Sequence, residues 1–429
     1  MLIRGRLLRA DRAPGPAAPP RLPPAIPGWV RTEGGRIADV GEGAPPRESG
    51  PDSLPPITSG VRLITPAFID AHLHIPQFGS VGCDGTSLLP WLERVVFPAE
   101  TFFGAGAWPA ITRGAIRSLI REGTLGFAGY LSSHPEASLG AAELIAASGL
   151  RAIVGRVAMD RNAPDDLLAA DRWRAAQRPT PSPLLPTPAH PGRLSVSANP
   201  RFAIGCSEEL LAETGWLRGE RTDLFIQTHL AESREERERT ASLFPGDRNA
   251  TALFDRLGLL GPRSLLGHCC HLTADEWPIL AARGAIAVHC PTANVFLESG
   301  LFDLASAREH GVRVALGSDI AAGADAAMPR VARAMIECAK TRRMLGLPAA
   351  VPTPAEAWHA ITRVNAEALG WSDAGALERD AAADLLVLRV PETWLDEHLF
   401  GRLLYGWSSD LIEARILGGA LVGADTIPS

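Results

Sequence analysis

From residue 63 onward, compact apolar runs alternate with stretches of helical period. The runs are LITPAFIDAHLH (63–74), TLGFAGYL (124–131), RAIVGRVAM (151–159), LSVSANPR (194–201), LFIQTHLAE (224–232), SLLGHCCHL (264–272), AIAVHCPTAN (285–294) and VRVALGSDI (312–320). Between most of them lie amphipathic segments such as WPAITRGAIRSLIREG and SREERERTASLF. Near-continuous apolar strands separated by helices predict a parallel sheet covered on both faces. Eight such units favour closure into a (β/α)8 TIM-type barrel. The other α/β solution, a doubly wound open sheet, lacks its GxGxxG after the first run.

The two ends have a different texture. Residues 1–60 read as short strands broken by turn-formers: LIRGRLLRA, a proline-rich stretch at 13–27, then GWVRTEGGRIADVG with a hairpin turn at Gly34-Gly35. The far end repeats that character in ADLLVLRV (383–390) and IEARILGGALVG (412–423), again with a Gly-Gly turn. We therefore expect a small β-sandwich domain built from both termini, residues 1–65 with 380–429, around a barrel at 66–379. The proline-rich segment 179–191 is expected to be a surface excursion before the fourth strand. The chain shows no internal repeats.

Size and composition agree with this plan. A barrel needs about 250 residues, and the chain has 429, 46% of them hydrophobic and 21% charged, enough for a large core. A net charge of −6 argues against nucleic acid or an anionic membrane as partner. No run reaches the roughly 18 apolar residues of a membrane span, and the opening MLIRGRLLRADRAP lacks the apolar stretch of a signal peptide. Six cysteines, at 83, 206, 269, 270, 290 and 338, form no CxxC pair and are too few for a disulfide scaffold. The expectation is a soluble cytoplasmic protein.

Chemistry gathers where a barrel keeps its active site, at the C-terminal strand ends. His72 and His74 close the first run; spaced i, i+2, both leave the same face and can converge on one ion. His229 ends the fifth run, His268 lies on the sixth and Asp319 ends the eighth. Singly, each is better read as a helix cap or a locally satisfied polar group. All five in barrel order point to a metal site, one Zn²⁺ per chain with Fe²⁺ as the alternative. Glu232, three residues beyond His229, is the candidate general acid/base, while Glu235, Glu236 and Glu238 of the same charge run are expected to be solvated.

The single lysine, Lys340, lies beyond the last of these residues. A carboxylated lysine bridging two metals is thereby excluded, as is Schiff-base chemistry; one metal and deamination are favoured over cyclic-amide hydrolysis. His271 and His289 are expected behind the site or in packing. His134, His190, His310, His359 and His398 carry no spacing signal. Cys269 and Cys270 flank His268, but burial is the simpler reading for them.

TPAFIDAHLH, THLAES, GHCCHL and the GSDI ending together resemble the amidohydrolase superfamily. More narrowly, HLHIPQ (72–77), LPWLERVVFPAE (89–100), AMDRN (158–162), NPRF (199–202), HCPTANVFLESGLF (289–302) and ALGSDI (315–320) resemble the guanine deaminases, in that family's order. The resemblance implies zinc on His72, His74, His229 and Asp319, with His268 at the reacting centre. It implies a purine held by Gln77, Arg201 and Phe202 beside His229. Water activated by the ion would add to C2 of guanine, Glu232 would protonate N3, Asp319 would relay the water's proton and ammonia would leave, giving xanthine. His268 would help to stabilise the developing charge. Homodimers are common in such families.

Two segments depart from the pattern: AAGADAAMPR after GSDI, and TLGFAGYLSSH after Gly123. They keep open another ring aminohydrolase activity, on an oxidised guanine, pterin, adenosine derivative or triazine. An inactive barrel scaffold is the alternative from outside enzymology.

Overall fold

The computed structural model describes residues 1–8, 25–47, 50–168 and 193–423. Most of the first proline-rich stretch, the whole of 179–191 and His190 lie outside the described residues.

Four strands open the chain: β1 (Leu2–Leu7), β2 (Ile26–Glu33), β3 (Arg36–Glu42) and β4 (Val61–Pro66). The barrel strands are β5 (Phe68–His74), β6 (Thr124–Tyr130), β7 (Arg151–Gly155), β8 (Val157–Ala158), β9 (Leu194–Pro200), β10 (Phe225–Leu230), β11 (Ser264–His268), β12 (Ile286–His289) and β13 (Arg313–Leu316). Three more follow: β14 (Leu385–Val390), β15 (Ile412–Leu417) and β16 (Ala420–Val422).

All eight apolar runs are barrel strands. β7 and the short β8 are the third run interrupted at Arg156, and both pair with β9. Every neighbouring pair is parallel, from β5–β6 round to β12–β13. Closure is made just beyond β13. Asp319 N–H donates to the His72 carbonyl at 2.8 Å and His74 N–H to that of Ile320 at 3.0 Å. Buried Asp70 locks the seam, accepting from the backbone N–H of His72 and from both the N–H and the hydroxyl of Ser318. The two ends of the sheet are thus stitched together at the residues that carry the site.

Helices cover the outside for the reason their pattern gives. In Trp108–Arg121 the buried positions Thr112, Ala115, Ile116, Leu119 and Ile120 recur at helical spacing on one face. Ala115, Ile116, Leu119 and Ile120 share a core with Leu63, Leu386, Leu388 and Ile412 of the terminal segments. Phe68 at the foot of β5 meets Trp358 and Trp407 edge-on, each at 5.2 Å, a favoured aromatic geometry.

The terminal segments form one seven-stranded mixed sheet, β16-β15-β14-β4-β1-β2-β3. The expected sandwich is made by this single sheet curling over. The β2–β3 and β15–β16 hairpins turn on Gly34-Gly35 and Gly418-Gly419, all with positive φ, as two-residue turns matched to strand twist require. Their tips meet across Ala383, whose N–H donates to Gly35 O while its carbonyl accepts from Gly419 N–H. Inside the curl lie Ile3, Leu7, Val30, Ile37, Ile64, Leu385, Val387 and Ile416.

Candidate active site

Five strand ends deliver the polar residues to one buried pocket. It is lined by His74, Gln77, Arg201, Phe202, His229, Glu232, His268 and Asp319, with Leu88, Trp91, Leu92, Leu297 and Ala322 as its apolar wall. Ala231, His268 and Asp319 all take left-handed backbone angles, with φ of 50°, 69° and 51°. Non-glycine residues adopt that conformation rarely, and here each turns the chain sharply as it leaves its strand.

His72, His74, His229 and Asp319 offer ligand atoms that all lie within 4.8 Å of one another. Asp319 Oδ1 is 3.3 Å from Nε2 of both His72 and His74. Nε2 of His74 faces Nε2 of His229 at 3.2 Å. The His229 tautomer follows from its other nitrogen: Nδ1 meets the Arg201 carbonyl, which only accepts, so Nδ1 carries the proton and Nε2 presents a bare lone pair. His72 Nε2 is fully buried and faces the Asp319 carboxylate. Lone pairs and a carboxylate converging in a dry site need a cation, and three imidazoles with one carboxylate suit a borderline divalent ion.

Burial sets the protonation of this cluster. It lowers the His74 imidazole to about 4 and drives His229 well below the usual histidine range, helped by neighbouring histidines, so both stand neutral. Burial opposes ionisation of Asp319, but hydrogen bonds from His72 and His74 outweigh it and hold the carboxyl well below the usual range. Glu232 goes the other way. Burial first, and the Asp319 charge second, push it up to about 8. One carboxylate ready to be ionised and one ready to hold a proton therefore share the pocket.

His268 lies between them, Nε2 being 3.4 Å from Glu232 Oε2 and 3.8 Å from Asp319 Oδ2. Its ring is fixed by Nδ1 against Asn294 Oδ1 at 2.8 Å. Ser299 donates to Glu232 Oε1 at 3.1 Å. His271, outside the cluster, holds the Ser299 carbonyl, and buried His289 stacks on Phe302 at 4.7 Å.

Glu236 corrects the sequence reading. It is not solvated but 1% exposed, and Oε2 accepts from the Glu232 N–H at 2.6 Å. Its charged neighbours Glu235 and Glu238 are exposed, as expected. The thiols of Cys269 and Cys270 are pushed well above their usual range by burial, which leaves no reactive thiolate.

Sequence reasoning missed four supports: Glu100, Asn294, Ser299 and the ring of Tyr130, which stacks on His74 at 4.5 Å. The first three lie in segments already singled out, FPAE and HCPTANVFLESGLF. Tyr130 lies in one of the two segments that depart from the guanine deaminase pattern, and pocket-lining Ala322 lies in the other.

The sequence profile of the amidohydrolase family matches residues 63–407, which take in every one of these strand ends. The chain belongs to the amidohydrolase family. Among its amidohydrolase relatives is the guanine deaminase of Dictyostelium discoideum, 33% identical over 300 residues, covering 66% of this chain and 63% of that protein. The guanine deaminase of Escherichia coli K12 is 32% identical over 299 residues, covering 69% and 67%. By sequence, then, the aligned stretch spans only about two thirds of these relatives' own length. The solved E. coli guanine deaminase superposes with a TM-score of 0.84 at 27% identity, covering 98% of this chain and 99% of that one. No described helix is long and apolar enough to cross a membrane.

Proposed function

We infer that the protein is a guanine deaminase, hydrolysing guanine to xanthine and ammonia with a zinc ion on His72, His74, His229 and Asp319. The observation that carries the reading is one pocket holding three things: the four-residue metal group, a buried glutamate pushed up to about 8, and the Arg201–Gln77 pair. The relatives described above are guanine deaminases. When bound, the ion supplies Lewis-acid activation, bringing the pKa of water to about 7.

The chain's own groups do the rest. Glu232, protonated near neutral pH, gives its proton to N3 as water adds at C2. Asp319 takes the proton released by that water and passes it to the departing amine, and Glu232 takes the remaining hydroxyl proton as the C2 carbonyl forms, so water enters, ammonia leaves and both carboxyl groups are restored. His268, within reach of both carboxylates, stabilises the charge that develops between them. Leu88, Trp91, Leu92 and Leu297 keep bulk water out. Six cysteines without a disulfide fit a cytoplasmic location. Exposed Met344, Leu345 and Leu347 offer an apolar surface for a homodimer.

The test is ammonia release from guanine by purified protein, with metal content measured on the same sample. Rapid release with about one zinc per chain is the expected result. A metal-loaded protein that releases nothing from guanine would remove the substrate while leaving the hydrolase.

A further inference from the structure

The FPAE segment contributes no group to the metal centre, yet Glu100 within it is fully buried and wholly engaged. It lies on the short helix Phe97–Phe102, between two π-helical turns at Leu92–Val96 and Phe103–Ala107. Its Oε1 and Oε2 accept from Arg201 Nη1 at 2.8 and 2.9 Å, and Oε1 accepts as well from Gln77 Nε2 at 3.3 Å. Phe97, one turn back, lies under the same guanidinium at 5.7 Å. One carboxylate thus ties together two pocket-lining side chains from different parts of the barrel rim.

The chemistry of that tie fixes polarity. A carboxylate beside an arginine only accepts, so the amide of Gln77 must turn its NH₂ toward Glu100. Its carbonyl oxygen, which makes no hydrogen bond among the described residues, is left as the acceptor for a ligand. Arg201 gives Nη1 to Glu100 and keeps Nε and Nη2, which make no hydrogen bond among the described residues, as donors. The pocket therefore shows a donor and an acceptor in fixed order.

We propose that Glu100 is a positioning residue that sets the pocket to read a lactam edge, a ring C=O beside a ring N–H, and to reject an amidine edge. The proposal deepens the guanine reading and rests on it. A lactam places its oxygen on Arg201 and its N–H on the Gln77 carbonyl. An amidine ring such as adenine offers an amino group to the arginine and a lone pair to the carbonyl, so both contacts become repulsive. Sites built around buried polar groups discriminate strongly, because the wrong ligand leaves those groups unpaired.

The experiment measures dissociation constants of hypoxanthine and adenine by calorimetry on metal-loaded wild type and Glu100→Gln. These probes share a ring system and differ in the edge. Wild type is expected to favour hypoxanthine, and Glu100→Gln to lower the preference by about tenfold or more as Gln77 becomes free to flip. Equal weakening of both ligands, or an unchanged ratio, would overturn the proposal, since a merely structural glutamate loosens the pocket for both alike.

Should Glu100→Gln fail to fold, Gln77→Met leaves the Glu100–Arg201 pair in place and decides the matter. A collapsed ratio there supports the edge reading and an unchanged ratio ends it. Guanine turnover is followed on the same wild-type sample: no turnover with the preference intact would remove the proposed activity and leave the edge reading standing.

Discussion

The two ends of the barrel are both rich in charge, but at one of them most of that charge is paired within the protein. At the N-terminal end a broad cleft of about 820 Å³ is lined by Arg36, Arg151, Arg193, Arg221 and Arg263. Most of these are answered locally: Arg151 by Asp373 at 2.6 Å, Arg193 by Asp384 at 2.8 Å, Arg221 by Asp223 at 2.7 Å. Arg263 lies over the Phe225 ring at 4.8 Å. At the C-terminal end the pocket is tighter, yet the Gln77 carbonyl and part of Arg201 make no hydrogen bond among the described residues. Charge satisfied within the protein holds a structure together, and charge left pointing at empty space is available to a ligand.

The largest effect should come from removing the proposed proton carrier at the open end. Glu232→Gln keeps size and fold and is expected to cut kcat by about 10²–10⁴ with metal content unchanged. Unaltered turnover would take Glu232 out of the reaction.

Arg201→Ala sharpens the comparison, because this arginine is half closed and half open. Its loss leaves Glu100 buried and uncompensated, which should cost about 3 kcal/mol of stability. It should also lower kcat/KM by about tenfold or more, selectively for rings carrying an oxygen at the position of O6. The same loss on rings lacking that oxygen would show only the structural half.

The smallest effect belongs to the closed end. Arg151→Ala should leave turnover alone and lower stability by about 1 kcal/mol at neutral pH. The hydrogen bond from Arg151 holds the Asp373 carboxyl below its usual range, against the opposing effect of burial. A depressed folded pKa stabilises above the unfolded value of about 3.9 and loses that contribution as pH falls through the folded value. The melting temperatures of the two proteins should therefore differ at pH 7 and converge as pH falls through the depressed folded value of Asp373. A fall in turnover with stability intact would show that this end is not closed after all.

The eight strands were legible because each is apolar nearly throughout and ends in a polar residue. His72, His74, His229, His268 and Asp319 stood out because strand ends are countable. Glu100 did not, because a glutamate on a helix reads as solvated until a partner 101 residues away is brought against it. Glu236 misled for the same reason: it lies in a run of charges, and only the fold shows that its helix turns this one side chain under Glu232. The terminal β domain was expected from the strands at both ends, but its curl was hidden. Alternation marks its strands, but nothing local says that the tips of two hairpins nearly four hundred residues apart will meet.

The hydrogen bond that orients His229 is accepted by the backbone carbonyl of Arg201, not by a side chain. Every amino acid carries that carbonyl. On the proposed reading, the residue at this position can therefore be exchanged for one suited to a different ring while the support of the metal group stays where it is. Recognition and activation share an address without sharing atoms, and a scaffold arranged in that way can change its substrate without first dismantling its catalyst.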